Sequence, residues 1–81
     1  RATTELAKKH IPATIQKKAF HSYELCEFGD ITTATSKANF LALKRRKGTV
    51  VALYNFYPRR PFAIVTDMKD RVAVLMLRSE L

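Results

Sequence analysis

Seven cations lie in a stretch of the chain that holds no acidic residue: Lys37, Lys44, Arg45, Arg46, Lys47, Arg59 and Arg60 all fall between Ile31 and Thr66. Ammonium and guanidinium groups with no local carboxylates attract polyanions, and nucleic-acid phosphates present anions in a regular array. Lys44–Lys47 and the Arg59–Arg60 pair are the candidate phosphate contacts, with Lys37 as a rim contact. Phe40, Tyr54 and Phe56 are interleaved with them, and a ring beside a cation can stack on an unpaired base for about 1–3 kcal/mol. The same three rings serve as core under a helix in the competing reading, since a short chain needs its aromatics for burial.

The element expected to position these groups is a β-hairpin over Asn39–Tyr57. Phe40–Leu43 and Val50–Phe56 read as its strands, the two runs together rich in β-branched and aromatic side chains. Arg46-Lys47-Gly48 reads as a three-residue loop with Gly48 at positive φ, where glycine meets no steric penalty. That register puts Leu43 opposite Val51 and Leu41 opposite Leu53 on an aliphatic face. It puts Phe40 opposite Tyr54, Ala42 opposite Ala52 and Lys44 opposite Val50 on the other. Beyond the hairpin, Tyr57-Pro58-Arg59-Arg60-Pro61 reads as a stiff extended clip that holds its two arginines outward.

Elsewhere, Thr3–Phe20 reads as helical. Ala7, Ile11, Ile15 and Ala19 recur at i+4, Thr3 is the expected cap, and Glu5 suits the first turn. Pro12 leaves two readings, one kinked helix or two helices, Thr3–His10 and Pro12–Phe20. The difference matters for charge, because only a break brings Lys8-Lys9 and Lys17-Lys18 to one face. Ser22–Phe28 alternates and reads as a strand ended by Gly29-Asp30, and Ile31–Lys37 reads as a polar connector. Phe62–Thr66 reads as a strand, Thr66–Asp70 as a turn opened by aspartate, and Arg71–Leu77 as a central strand in preference to a helix. Arg78–Leu81 is a tail.

At 81 residues one domain, residues 1–81, is expected, and 47% hydrophobic with 27% charged residues argues against disorder. Lysine and arginine number 15 against 7 acidic residues, a formal charge of +8. The apolar run Val72–Leu77 is far too short to span a bilayer, and no signal-peptide pattern opens the chain, so an intracellular setting is expected. The chain opens on Arg1, as a fragment or a trimmed product would. Cys26, the single cysteine, permits no internal disulfide and no cysteine-built metal site, and suits a reducing compartment. Glu24 and Glu27 beside it oppose thiolate formation, which makes it a structural thiol.

Several chemistries lack their parts. Gly29 and Gly48 are the two glycines, too far apart for a phosphate-cradling loop. His10 and His21 match no metal spacing, and no carboxylate pair stands ready as acid and base. No cofactor, metal or catalytic residue is expected. The order of helices followed by an antiparallel sheet in a short basic chain resembles the layout of RelE-like messenger-cleaving toxins. That resemblance implies a ribonuclease with Tyr54 or Tyr57, His21 and Arg45 as working groups. It is also similar in layout to the double-stranded RNA-binding domain, whose first strand looks like Tyr23–Gly29. The glycine-rich third strand of that family is missing, because Val50–Phe56 has no glycine.

The expected fold is α+β, an N-terminal helical segment on one face of an antiparallel sheet of about four strands, the other face open or used for self-association. The leading expectation for function is a non-enzymatic DNA- or RNA-binding domain. The alternative is a small protein that binds and modulates a protein partner, or pairs with itself, using an apolar surplus at Phe56, Tyr57, Phe62 and Met76.

Overall fold

The computed structural model describes all residues, Arg1–Leu81. The elements run β1 (Ala2–Thr3), α1 (Glu5–His10), α2 (Ala13–Glu24), α3 (Thr33–Arg45), β2 (Thr49–Tyr54), β3 (Phe62–Asp67) and β4 (Val72–Leu77), with a final 3-10 turn at Arg78–Glu80. The class is α+β, three helices and a four-stranded sheet of order β1-β4-β3-β2. The sheet is mixed and not purely antiparallel, because the short β1 pairs parallel with β4.

The N-terminal helices divide where proline dictates. Thr4, not Thr3, caps α1, its hydroxyl accepting from the Ala7 amide at 3.2 Å. Thr3 is occupied in β1. Pro12 has no N–H to give, so α1 ends and α2 starts there, and Gln16 spans the break by donating to the Ile11 carbonyl at 2.8 Å. The apolar series then runs on past Ala19 to Tyr23, which carries α2 to Glu24 and overturns a strand over Ser22–Phe28. No glycine, proline or β-branched residue interrupts Lys17–Glu24, so nothing stops the helix. It closes instead with Cys26 at φ 60, the Cys26 amide donating to the Tyr23 carbonyl and the Glu27 amide to that of Ser22. Cys26 is exposed and not a core thiol.

The larger correction is α3. Of Ile31–Lys37 only Ile31 and Thr32 stay in the connector, and Phe40–Leu43 is not a strand; Thr33–Lys37 and Phe40–Leu43 belong to one helix. Thr32 caps it, its hydroxyl accepting from the Thr35 amide at 3.1 Å. From Ser36 to Arg45 there is no β-branched residue, glycine or proline, while alanine, leucine, lysine and arginine, all strong helix formers, predominate. The helix ends with Arg46 left-handed at φ 56 and Gly48 at φ 93, so Gly48 does hold positive φ, but as the link from α3 into β2 and not in a hairpin loop.

β2, β3 and β4 form an antiparallel meander, and β3 and β4 agree with the strands read from sequence. The register sorts the side chains into two faces. Tyr54–Phe62–Leu77, Ala52–Ile64–Leu75 and Val50–Thr66–Ala73 are cross-strand rows on one face. The first two rows join Ala7, Ile11, Ala19 and Phe20 of α1 and α2 in the core. The opposite face carries the rows Val51–Val65–Val74 and Leu53–Ala63–Met76, with Ala2 beside Val74. None of these side chains belongs to the core cluster.

Candidate nucleic-acid interface

The position of α3 follows from one buried amide. β2 is the edge strand, so the N–H and C=O of Val51 point away from β3 and need partners. Asn39, only 1% exposed, supplies both: its Nδ2 donates to the Val51 carbonyl at 2.8 Å, and its Oδ1 accepts from the Val51 amide at 2.9 Å. One turn along the edge, Leu53 donates to the Phe28 carbonyl and accepts from the Asp30 amide. The chain comes so close there that a Cβ on Gly29 would meet the Leu53 carbonyl oxygen, and Gly29 sits at φ 71. α3 therefore lies antiparallel to β2, along the sheet edge and outside the core.

A helix held by its edge presents most of its surface. Only Asn39 and Ala42 of α3 are buried. At 100° per residue, the direction opposite them is occupied by Thr33, Lys37, Phe40 and Lys44, spaced i, i+4, i+7 and i+11. Arg45, Arg46 and Lys47 continue the charge around the C-terminal end, and all of these cations are exposed. The helix dipole favours cations at that end, so the cluster also stabilises α3. Phe40, 66% exposed, stands between Lys37 and Lys44 with its ring in solvent.

The structure places the other two rings elsewhere. Tyr54 is 4% exposed and its hydroxyl donates to the Glu27 carbonyl at 2.8 Å, so its ring offers no face to a base. Burial pushes its phenol well above the ordinary range, with smaller contributions from Tyr23 and Glu27. Phe56 borders the core, its ring 5.6 Å from that of Tyr54 and 5.5 Å from that of Phe62, with the Lys18 ammonium 4.9 Å from its centroid. Phe40 and Tyr54 are not cross-strand neighbours, because Phe40 is helical.

The cations are free but not gathered at one point. The two ion pairs, Arg1–Glu24 and Lys8–Glu5, take nothing from the acid-free segment. Lys44–Lys47 lie where β2 begins, whereas Arg59 and Arg60 lie in the loop after Tyr54, where it ends. A strand of six residues separates them, roughly 20 Å. Arg45 and the buried Tyr54, two of the groups a nuclease reading would bring together, likewise sit at opposite ends of β2. The break at Pro12 does bring Lys8 and Lys17 together, with Arg1, around an open depression of about 550 Å³. No three of the His, Cys, Asp and Glu side chains cluster as metal ligands would.

Asn39 is the residue that sequence reasoning missed. Its only sequence signal is its type: a lone amide, a poor helix former, amid strong ones. No helix is long and apolar enough to cross a membrane. Compared with protein-family models, curated proteins and solved structures, the chain finds no match in any of the three.

Proposed function

We propose that this chain is a non-enzymatic nucleic-acid-binding domain whose contact surface is the outward side and C-terminal end of α3. The observation that carries the reading is the coincidence, on one exposed and acid-free helix and the turn that ends it, of Lys37, Lys44 and Arg45 with Arg46 and Lys47, none in an ion pair, and a solvent-facing Phe40. The helix replaces the β-hairpin as the phosphate-contacting element. At 13 residues it is about 20 Å long, a length over which a duplex carries roughly a dozen phosphate charges. Arg59 and Arg60 would add contacts only to a polyanion that follows the β2 edge past the other end of α3.

The test is a binding titration with duplex and single-stranded DNA and RNA across salt concentrations. Five phosphate contacts on a duplex would give a log–log slope of about −4.5. The absence of measurable binding to any of these at low salt overturns the reading.

A further inference from the structure

The solvent side of α3 is not uniformly charged. Phe40 is 66% exposed and Leu41 43% exposed, with exposed cations set among them. At 100° per residue, Lys44 and Lys37 project about 40° and 60° from Phe40, and Leu41 about 100° from it in the same direction. Arg45 follows about 40° beyond Leu41. The order around the exposed arc is therefore ring, two ammonium groups, aliphatic chain, guanidinium. Two open depressions lie along this arc. One, of about 440 Å³, is walled by Ser36, Lys37, Phe40 and Leu41. The other, of about 420 Å³, is walled by Leu41, Arg45, Lys47 and Thr49, with Ala38 and Ala42 between. Leu43, on the other flank of Phe40, borders Tyr23 and Phe28 instead.

We propose that the nucleic acid bound at α3 is a single strand with one base stacked on Phe40, an assignment that rests on the nucleic-acid reading above and narrows it. Three features of α3 select that ligand. The first is the ring itself, which needs a flat apolar face. A duplex hides its base faces in the stack, and its major groove shows donors, acceptors and, at thymine alone, a methyl group. A single strand turns its base faces outward. The second is alternation. A helix lying on an anionic membrane keeps its apolar side apart from its cationic side, so that one sinks while the other stays with the headgroups. Here two lysines project between Phe40 and Leu41, which suits a ligand that itself alternates anion and apolar ring, as phosphate and base do. The third is spacing. Lys37 and Lys44 stand about 10 Å apart along the helix axis with Phe40 between them. That span covers about three nucleotides at roughly 3.4 Å each, so the lysines meet phosphates on either side of the stacked base.

Fluorescence anisotropy across salt concentrations tests this with labelled oligothymidylate, an abasic strand of the same length and a duplex of that length. Oligothymidylate is expected to bind about 5- to 150-fold tighter than the abasic strand, the margin of one stacked base. Stacking releases no counterions, so the margin holds as salt rises while both affinities fall. Phe40→Ala is expected to erase the margin and leave the abasic affinity unchanged, and Phe40→Trp to keep the margin. Phe40 stands in solvent and alanine is the best helix former, so the alanine variant retains its circular dichroism spectrum. Lys44→Gln is expected to lower both affinities alike. Equal affinity for oligothymidylate and the abasic strand overturns the proposal and leaves the nucleic-acid reading in place. So does a margin that survives Phe40→Ala, or a duplex that outlasts the single strand at raised salt. Binding to none of the three removes the nucleic-acid reading and the single strand with it. Phe40-dependent binding to anionic phospholipid vesicles, with no dependence on bases, overturns the proposal in favour of a lipid surface.

Discussion

A single amide, Asn39, decides where the cations of α3 end up. Its two hydrogen bonds replace the neighbouring strand that Val51 lacks on its outer side. Asn39→Ala would strand one buried N–H and one buried C=O at roughly 1–3 kcal/mol each. A loss of about 2–6 kcal/mol in urea unfolding is therefore expected, a large share of the stability of a domain this size. At the same scale, Tyr54 makes folding sensitive to alkali. Burial holds its phenol protonated above the ordinary value of 10.0. The folded chain therefore keeps a proton that the unfolded chain releases, and the contribution is complete below pH 10 and is lost as pH climbs from there. Tyr23, raised chiefly by burial against the lowering hydrogen bond from Thr66, adds to the same trend. Stability measured above pH 10 should fall steeply, and less steeply in Tyr54→Phe.

Among the elements, α3 and the loop after β2 make separable predictions. Lys44→Gln removes one phosphate contact and should reduce the salt slope on duplex by about 0.9. Arg59→Gln with Arg60→Gln, at the far end of β2, should leave binding of a short duplex unchanged and weaken only a longer one. Phe40→Ala should cost about 1–3 kcal/mol on single strands, where bases are free to stack, and little on duplex. Comparing the two ligands thus tells whether the exposed ring serves as a stacking platform. The elements also show what periodicity alone can and cannot separate. Phe62–Thr66 was legible as a strand because β-branched residues crowd it, and Arg71–Leu77 because apolar residues on both parities suit a central strand. Phe40–Leu43 holds no β-branched residue, and the flanking Lys37, Ala38, Lys44 and Arg45 are helix formers; reading it as a strand let the glycine at 48 outweigh local propensity.

Across the whole molecule, stability is uneven. β3 lies between two strands with α1 and α2 packed beneath it, whereas α3 is held by Asn39, Ala42 and its caps. Native-state hydrogen exchange should therefore find the α3 amides opening at lower free energy than those of Phe62–Thr66, which should exchange only on global unfolding.

Residue order by itself determined the α+β class, the strands after Gly48 and the acid-free cationic middle, because each rests on local chemistry such as branched side chains and the absence of carboxylates; at Pro12 it left a kink and a break equally open, and the structure decided for the break. Only the tertiary structure decided which of those cations share a surface. Whether Lys37 and Lys44 flank Phe40 in solvent depends on the edge of β2 and on the buried side chain that docks there, and an edge exists only once strands distant in sequence have paired.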